Sequence, residues 1–325
     1  MHQLRLFAHG CRTAVGRAGT YRGVKTLAEV VQTRAAETPT ALALSAPLQD
    51  VRWTYADLAS RSLVVAEQLS SLGYRSGEVL VAQVPNSVEN LLLQLACSHL
   101  GAAMATVKDQ DGLSALAKAA TVRGVAAHAN SSTELPEYFR ELPASPLLIQ
   151  DLDGSMGSSG QRSTSTAAGG DVPLGYWSST KPLTTAQTQA MGDASVNKLN
   201  MTAHDRVLVT ITLCHAFGIG SAVAATFQAG ACVVLPGSSG IRGCGNPAQR
   251  SKVALEAMAT EKCSLLFADI HTLKALPPAG AADLTSLRGG VCKIGSGADF
   301  LDGIETAGDV PLSYAGVKLC AMGKA

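Results

Sequence analysis

Apolar positions along this chain recur with the helical period in some stretches and as short continuous runs in others, and the two alternate. Leu27, Val30, Val31 and Ala35 share one face of a helix predicted over residues 26–37. A second helix opens at Trp53-Thr54-Tyr55-Ala56-Asp57-Leu58, with Thr54 as N-cap and Asp57 placed to complete a capping box. Leu58, Ser62, Val65, Leu69 and Leu72 continue its face, and Gly73 stops it. Residues 79–84 are apolar and β-branched, the composition of a buried strand. Pro85-Asn86-Ser87 breaks that run, Asn86 or Ser87 caps a helix over 88–100, and Gly101 ends it. Residues 102–107 give the next strand. This alternation predicts an α/β sheet with mainly parallel strands.

Residues 112–126 predict a further helix and a short strand, and 147–149 another strand. The stretch 151–170 is crowded with Ser, Gly and Thr and nearly empty of apolar residues, so it reads as a loop between two lobes. Beyond it, strands are expected over 206–213, 232–235, 264–267 and 290–294. Helices are expected over 218–229, 251–260 and 269–276, the first closed by Gly230. The organisation expected is a basic segment 1–25, a first α/β lobe 26–150, a Ser/Gly-rich loop 151–172 and a second α/β lobe 173–325.

Composition changes this picture in three ways. At 325 residues the chain can bury a large core. Hydrophobic residues are 46% and charged residues 16%, an apolar balance that suggests part of the surface meets a partner. The net charge of +1 gives no bulk attraction to nucleic acid or to a membrane surface. The eight cysteines (11, 97, 214, 232, 244, 263, 292 and 320) include no Cys-x-x-Cys pair and no His/Cys set at metal-ligand spacing; they read as small core residues in a reducing compartment. No apolar run reaches bilayer length. The first 25 residues carry Arg5, Arg12, Arg17, Arg22 and Lys25, and the first acid is Glu29. That is the composition of a mitochondrial targeting segment, with a basic tail of a cytosolic protein as the other reading.

Several stretches in order resemble the acyl-CoA synthetase type of adenylate-forming enzyme. They are Trp53-Thr54-Tyr55-x-Asp57-Leu58, Leu72-Gly73, Pro85-Asn86-Ser87-Val88-Glu89 and Leu100-Gly101-Ala102 in the first half. In the second half they are His204-Asp205-Arg206-Val207-Leu208-Val209-Thr210, Leu213-Cys214-His215-Ala216-Phe217-Gly218, Ala229-Gly230-Ala231-Cys232 and Gly295-Ser296-Gly297-Ala298. The resemblance covers about residues 26–320. It implies two α/β lobes like the large N-terminal domain of that family, with the small C-terminal lid and its catalytic lysine not encoded.

Members of that family join a carboxylate to AMP and then to coenzyme A, and the parts this needs are altered here. The phosphate loop matches Tyr176-Trp177-Ser178-Ser179-Thr180-Lys181-Pro182. Tyr176, Ser178 and Thr180 fit the frame, but Ser179 stands where glycine is expected, Lys181-Pro182 reverses the usual order, and proline has no N–H to donate. His215 matches a residue that lines the acyl pocket in the family; a structural, hydrogen-bonded histidine is the plainer reading. The adenine-and-metal motif matches Ser313-Tyr314-Ala315-Gly316-Val317-Lys318, with Val317 at the threonine place and Lys318 at that of the magnesium-binding glutamate. An ammonium cannot ligate a cation, although it could pair with a phosphate as a point charge.

The sequence therefore leads to expectations of an inactive protein with no catalytic residue, no metal and no cofactor. Tyr176, Ser178, Ser179, Thr180, Lys181, His215, Tyr314, Val317 and Lys318 are read as vestigial. Its role would be that of a structural accessory subunit, bound to the protein subunits of a larger assembly on the matrix side of mitochondria, such as a respiratory complex, ATP synthase or ribosome. The alternatives are a split or minimal acyl-CoA synthetase, and a module that binds an acyl chain or coenzyme A.

Overall fold

A computed structural model describes residues 23–127, 135–144, 146–148, 171–177, 181–237 and 246–324. The basic segment up to residue 22 and the Ser/Gly-rich stretch 151–170 lie outside the described residues. The first part of the chain forms α1 (Leu27–Glu37), β1 (Leu42–Ala46), β2 (Val51–Thr54), α2 (Tyr55–Ser71), β3 (Glu78–Gln83), α3 (Val88–Leu100), β4 (Ala103–Ala105), α4 (Gln110–Ala119), β5 (Thr121–Ala127) and β6 (Leu147–Leu148). Next come β7 (Pro173–Tyr176), β8 (Leu183–Thr184), α5 (Thr185–Leu199), β9 (Arg206–Val209), a π-helical segment (Phe217–Ala224) continuing into α6 (Ala225–Ala229), and β10 (Cys232–Val234). The last part holds α7 (Pro247–Thr260), β11 (Leu265–Asp269), α8 (Ile270–Ala275) and β12 (Gly289–Lys293). Six short strands follow: β13 (Asp299–Leu301), β14 (Thr306–Ala307), β15 (Val310–Pro311), β16 (Ser313–Tyr314), β17 (Val317–Lys318) and β18 (Cys320–Gly323).

Two mainly parallel sheets carry the fold. The larger has the order β13-β18-β12-β11-β9-β10-β1-β2 and the smaller β6-β5-β3-β4-β7-β8. The expected α/β class holds, but the stretch 151–172 does not separate the two sheets. Strand β1 leaves the first half to pair in parallel with β10, Leu44 facing Val233. Strand β7 pairs in parallel with β4, so β7 and β8 complete the smaller sheet. One apolar core runs through both, from Leu44 and Leu80 to Phe267 and Met322. The physical reason is burial: β1 is mostly apolar, and it is covered by lying between β10 and β2 in the larger sheet.

The local signals that held are those with a hydrogen bond behind them. Thr54 accepts from the Asp57 amide, and the Asp57 carboxylate accepts from the Thr54 amide, closing the expected capping box of α2. Thr26–Glu29 and Thr184–Gln187 make the same device on α1 and α5. Helix α3 is buried on nearly every side, which its run of leucines and small residues requires. The helix expected over 218–229 begins as a π-helix over Phe217–Ala224.

Buried charges gather where the strands of the larger sheet begin. Glu261 receives Arg52 at 2.8 Å and also Arg206. Asp205 receives Arg288 at 2.7 Å and the Ser264 hydroxyl at 2.7 Å. Desolvation opposes the Asp205 charge, yet these bonds and the Thr202 amide hold its pKa below the usual carboxylate value.

His99 of α3 is buried against α2, its Nε2 3.1 Å from the Ser62 hydroxyl, with the Glu29 carboxylate of α1 acting on it more weakly. Burial pushes its pKa down from 6.5 to about 4. The unfolded chain takes up a proton as pH falls below about 6.5 while the folded chain does not, so stability drops between pH 6.5 and 4. Urea titrations should show His99→Gln retaining about 3 kcal/mol more of its neutral-pH stability at pH 4 than wild type. Equal losses in both proteins would remove His99 as the cause.

Candidate functional site

In open parallel sheets the strand ends that face ligands are the carboxyl ends. In the larger sheet these are Val209, Asp269, Lys293 and Gly323 of β9, β11, β12 and β18. The loop after β9, residues 210–216, carries His215 over this edge. Three buried amides of the α3 region hold that loop. Asn86 Nδ2 donates to the Ile211 carbonyl at 3.1 Å, and its Oδ1 accepts from the Leu213 amide at 2.7 Å. Gln94 donates to the Leu213 carbonyl at 3.2 Å, and Asn90 to the Cys214 sulfur at 3.4 Å. Asn86 thus substitutes for a strand partner. Ser87, not Asn86, is the N-cap of α3, and its side chain makes no capping bond.

The loop turns back tightly on the π-helical segment. A Cβ at Gly218 would stand 2.0 Å from the Thr212 carbonyl oxygen, so only glycine fits. His215 Nδ1 accepts from the Phe217 amide at 3.1 Å. The neutral ring therefore carries its proton on Nε2. Ring desolvation first, and the nearby Lys293 ammonium second, push the His215 pKa down.

Lys293 was not anticipated. It ends β12, directly across from Asp269 of β11 and Met322 of β18. Only 8% of it is exposed. The carboxylate facing it in the register is already engaged: Asp269 accepts from the Thr272 amide and hydroxyl, both at 2.6 Å, and pairs with Arg250 at 3.2 Å. The Lys293 ammonium donates instead to the Gly297 carbonyl, and among the described residues no carboxylate lies within ion-pair distance of it. Desolvation lowers its pKa, with Asp299 opposing. A Cβ at Gly297 would stand 2.5 Å from the Gly323 carbonyl, so this turn rests on the end of β18. The sequence signal for Lys293 was a single cation at the end of the apolar run Gly290-Val291-Cys292.

The remaining sequence candidates do not converge here. Tyr176 ends β7 and is buried in the smaller sheet; Lys181 lies just before β8; Ser178, Ser179 and Thr180 lie outside the described residues. Tyr314, Val317 and Lys318 form the hairpin β16–β17. Tyr314 and Val317 pack with Leu266, Ala268 and Cys292, on the face of the sheet opposite to Phe267, Val291 and Met322. The Tyr314 hydroxyl donates to the Pro277 carbonyl at 2.7 Å, and burial raises its pKa. Lys318 pairs at 2.9 Å with Glu305, and both are open to solvent, 84% and 76% exposed. The expected adenine-and-metal motif is therefore a surface hairpin; the segment reaching the strand ends beside Lys293 is Met322-Gly323-Lys324. Among the described residues no group of three His, Cys, Asp or Glu side chains could hold a metal ion, and no helix is long and apolar enough to cross a membrane.

The family model described as "AMP-binding enzyme" matches residues 31–162. Over that stretch the chain is similar to the AMP-binding enzymes. Beyond that stretch the likeness is one of fold. The chain superposes on the inhibitor-bound N-terminal domain of FACL13 from Mycobacterium tuberculosis with a TM-score of 0.66 and 18% identity, covering 83% of this chain and 70% of that one. A fatty acyl CoA synthetase from M. tuberculosis gives 0.65 and 19%, covering 85% and 55%. Apo MbtA from Mycobacterium smegmatis gives 0.65 and 18%, covering 83% and 52%. The chain thus spans about half the length of the last two proteins and corresponds to the N-terminal domain of this AMP-binding architecture. No curated protein sequence matches the chain.

The buried amide of Asn86 is the testable joint between the sheets. Asn86→Ala would strand the Ile211 carbonyl and the Leu213 amide, and should cost about 3 kcal/mol in urea unfolding. A loss below about 0.5 kcal/mol, the range of an ordinary surface change, would show that the loop is held by other contacts.

Proposed function

We propose that this chain is a non-catalytic member of the AMP-binding architecture, acting as a structural accessory subunit of a larger mitochondrial assembly. The observation that carries the first half is the β16–β17 hairpin. The stretch resembling the adenine-and-metal motif has its tyrosine hydroxyl committed to Pro277 and its lysine paired with Glu305 at the surface. Charge that develops on a pyrophosphate leaving group needs a fixed cation beside it, and the place of the magnesium-binding glutamate in the motif is taken by Lys318. In the phosphate-loop stretch, Pro182 has no N–H to offer a phosphate. The second half rests on composition: the acid-free, arginine-bearing first 25 residues and the apolar balance of the chain.

Pyrophosphate exchange with ATP and a panel of fatty acids should stay at background for the full chain. Carboxylate-dependent exchange above background would return the chain to the enzymes. Native extracts of mitochondria should release the protein in a particle far larger than its own 33.4 kDa. Elution as a monomer would sink the accessory-subunit role.

A second reading has its own support: the chain still holds a small acid at the carboxyl edge of the larger sheet. His215 Nε2–H and the Lys293 ammonium are two donors at one edge, and neither is matched by a carboxylate within ion-pair distance among the described residues. Ligand retention and loss of adenylation are compatible, because binding needs donors and a wall while the chemistry also needs the metal.

A further inference from the structure

The wall behind Lys293 is apolar. Val209, Phe267, Val291 and Met322 all point to the same face of the larger sheet as Lys293, and all four are buried in one core. The π-helical segment lies over them, with Phe217 and Phe267 ring centroids 5.9 Å apart. An ammonium at the rim of such a wall is costly: lysine is almost never this buried unless it is paired. It can donate three hydrogen bonds and, among the described residues, makes one, to a neutral carbonyl. The carboxylate opposite it is withheld by Arg250 and Thr272. A plain alkyl chain laid along this edge would leave the charge buried and unmatched. A ligand with an anionic group at that point would complete it.

We infer that Lys293 is a specificity-determining residue that selects acids bearing a second carboxylate over plain fatty acids at the carboxyl edge of the larger sheet. This rests on the reading that the edge still holds a ligand. The second carboxylate would meet the Lys293 ammonium, and the His215 Nε2–H offers a neutral donor beside it. Lys293 acts here on binding alone, and no bond is made or broken.

Adipate and hexanoate test this directly, since both have six carbons and differ by one carboxylate. Isothermal titration of the full-length protein should give adipate at least about tenfold tighter binding than hexanoate, the effect of one charge-assisted contact. Lys293→Met should abolish that preference and Lys293→Arg should keep it. Unfolding midpoints of the unliganded variants separate loss of selectivity from loss of fold. If wild type binds the two acids equally, or if Lys293→Met keeps the adipate preference, the selectivity is refuted while ligand retention stands. If neither acid binds wild type or either variant, ligand retention fails and the selectivity with it.

Discussion

The buried amide of Asn86 is the constraint on which the arrangement depends. Two sheets built from interleaved parts of the chain can shear past each other unless something polar fixes their relative depth, because apolar packing alone is non-directional. Asn86 follows β3 of the smaller sheet and makes both hydrogen bonds of a missing strand neighbour to the loop after β9 of the larger. Gln94 and Asn90 add two contacts from the next turns of α3. These amides are buried and bonded to the loop, so a slip of one residue would leave several polar groups without partners. The depth of His215 over the strand ends is set by that loop, and Gly218 lets the chain turn under it.

Much of the fold was legible because its local signals carry hydrogen bonds with them. The Thr54–Asp57 box, the apolar run of β3 and the glycine after α3 each gave an element close to its observed bounds. Helix α5 was not legible: its Thr-Ala-Gln-Thr-Gln start and scattered small residues show no apolar stripe, and its buried face uses Thr185, Thr188, Gly192 and Ser195. The strands β1 and β2 were missed because a run as short as Leu42-Ala43-Leu44-Ser45-Ala46 can belong to either period, and the parallel partner of β1, β10, lies far along the chain. The two-residue strands β14 to β17 fall below the length at which alternation can be read.

The site was less legible than the fold, for a different reason. A motif read from residue order fixes which side chains are present but not which face of a sheet they meet. Tyr314 and Lys318 match a motif in order, yet the chain reaches the strand ends only at β18, after the hairpin has turned them to the opposite face. Asn86 looked like a helix cap because caps and cross-loop bonds draw on the same residue types. Lys293 stood out in no motif, since a single cation ending an apolar strand is ordinary until its depth and its neighbours are known.

The two edges of the larger sheet treat charge in opposite ways, and the contrast bears on what the chain does. At the amino edge Glu261 is met by Arg52 and Arg206, and Asp205 by Arg288 and Ser264, so each buried carboxylate has its partners inside the protein. Burying such groups costs several kcal/mol each, and the pairing offsets it. At the carboxyl edge Asp269 is paired with Arg250, but Lys293, one strand over, has among the described residues only a carbonyl. If folding alone had shaped this edge, a neutral side chain at 293 would pack against Phe267 and Met322 at no electrostatic cost. The charge is therefore a stability defect placed where parallel sheets meet their ligands, and an anion arriving from outside is the partner that removes it.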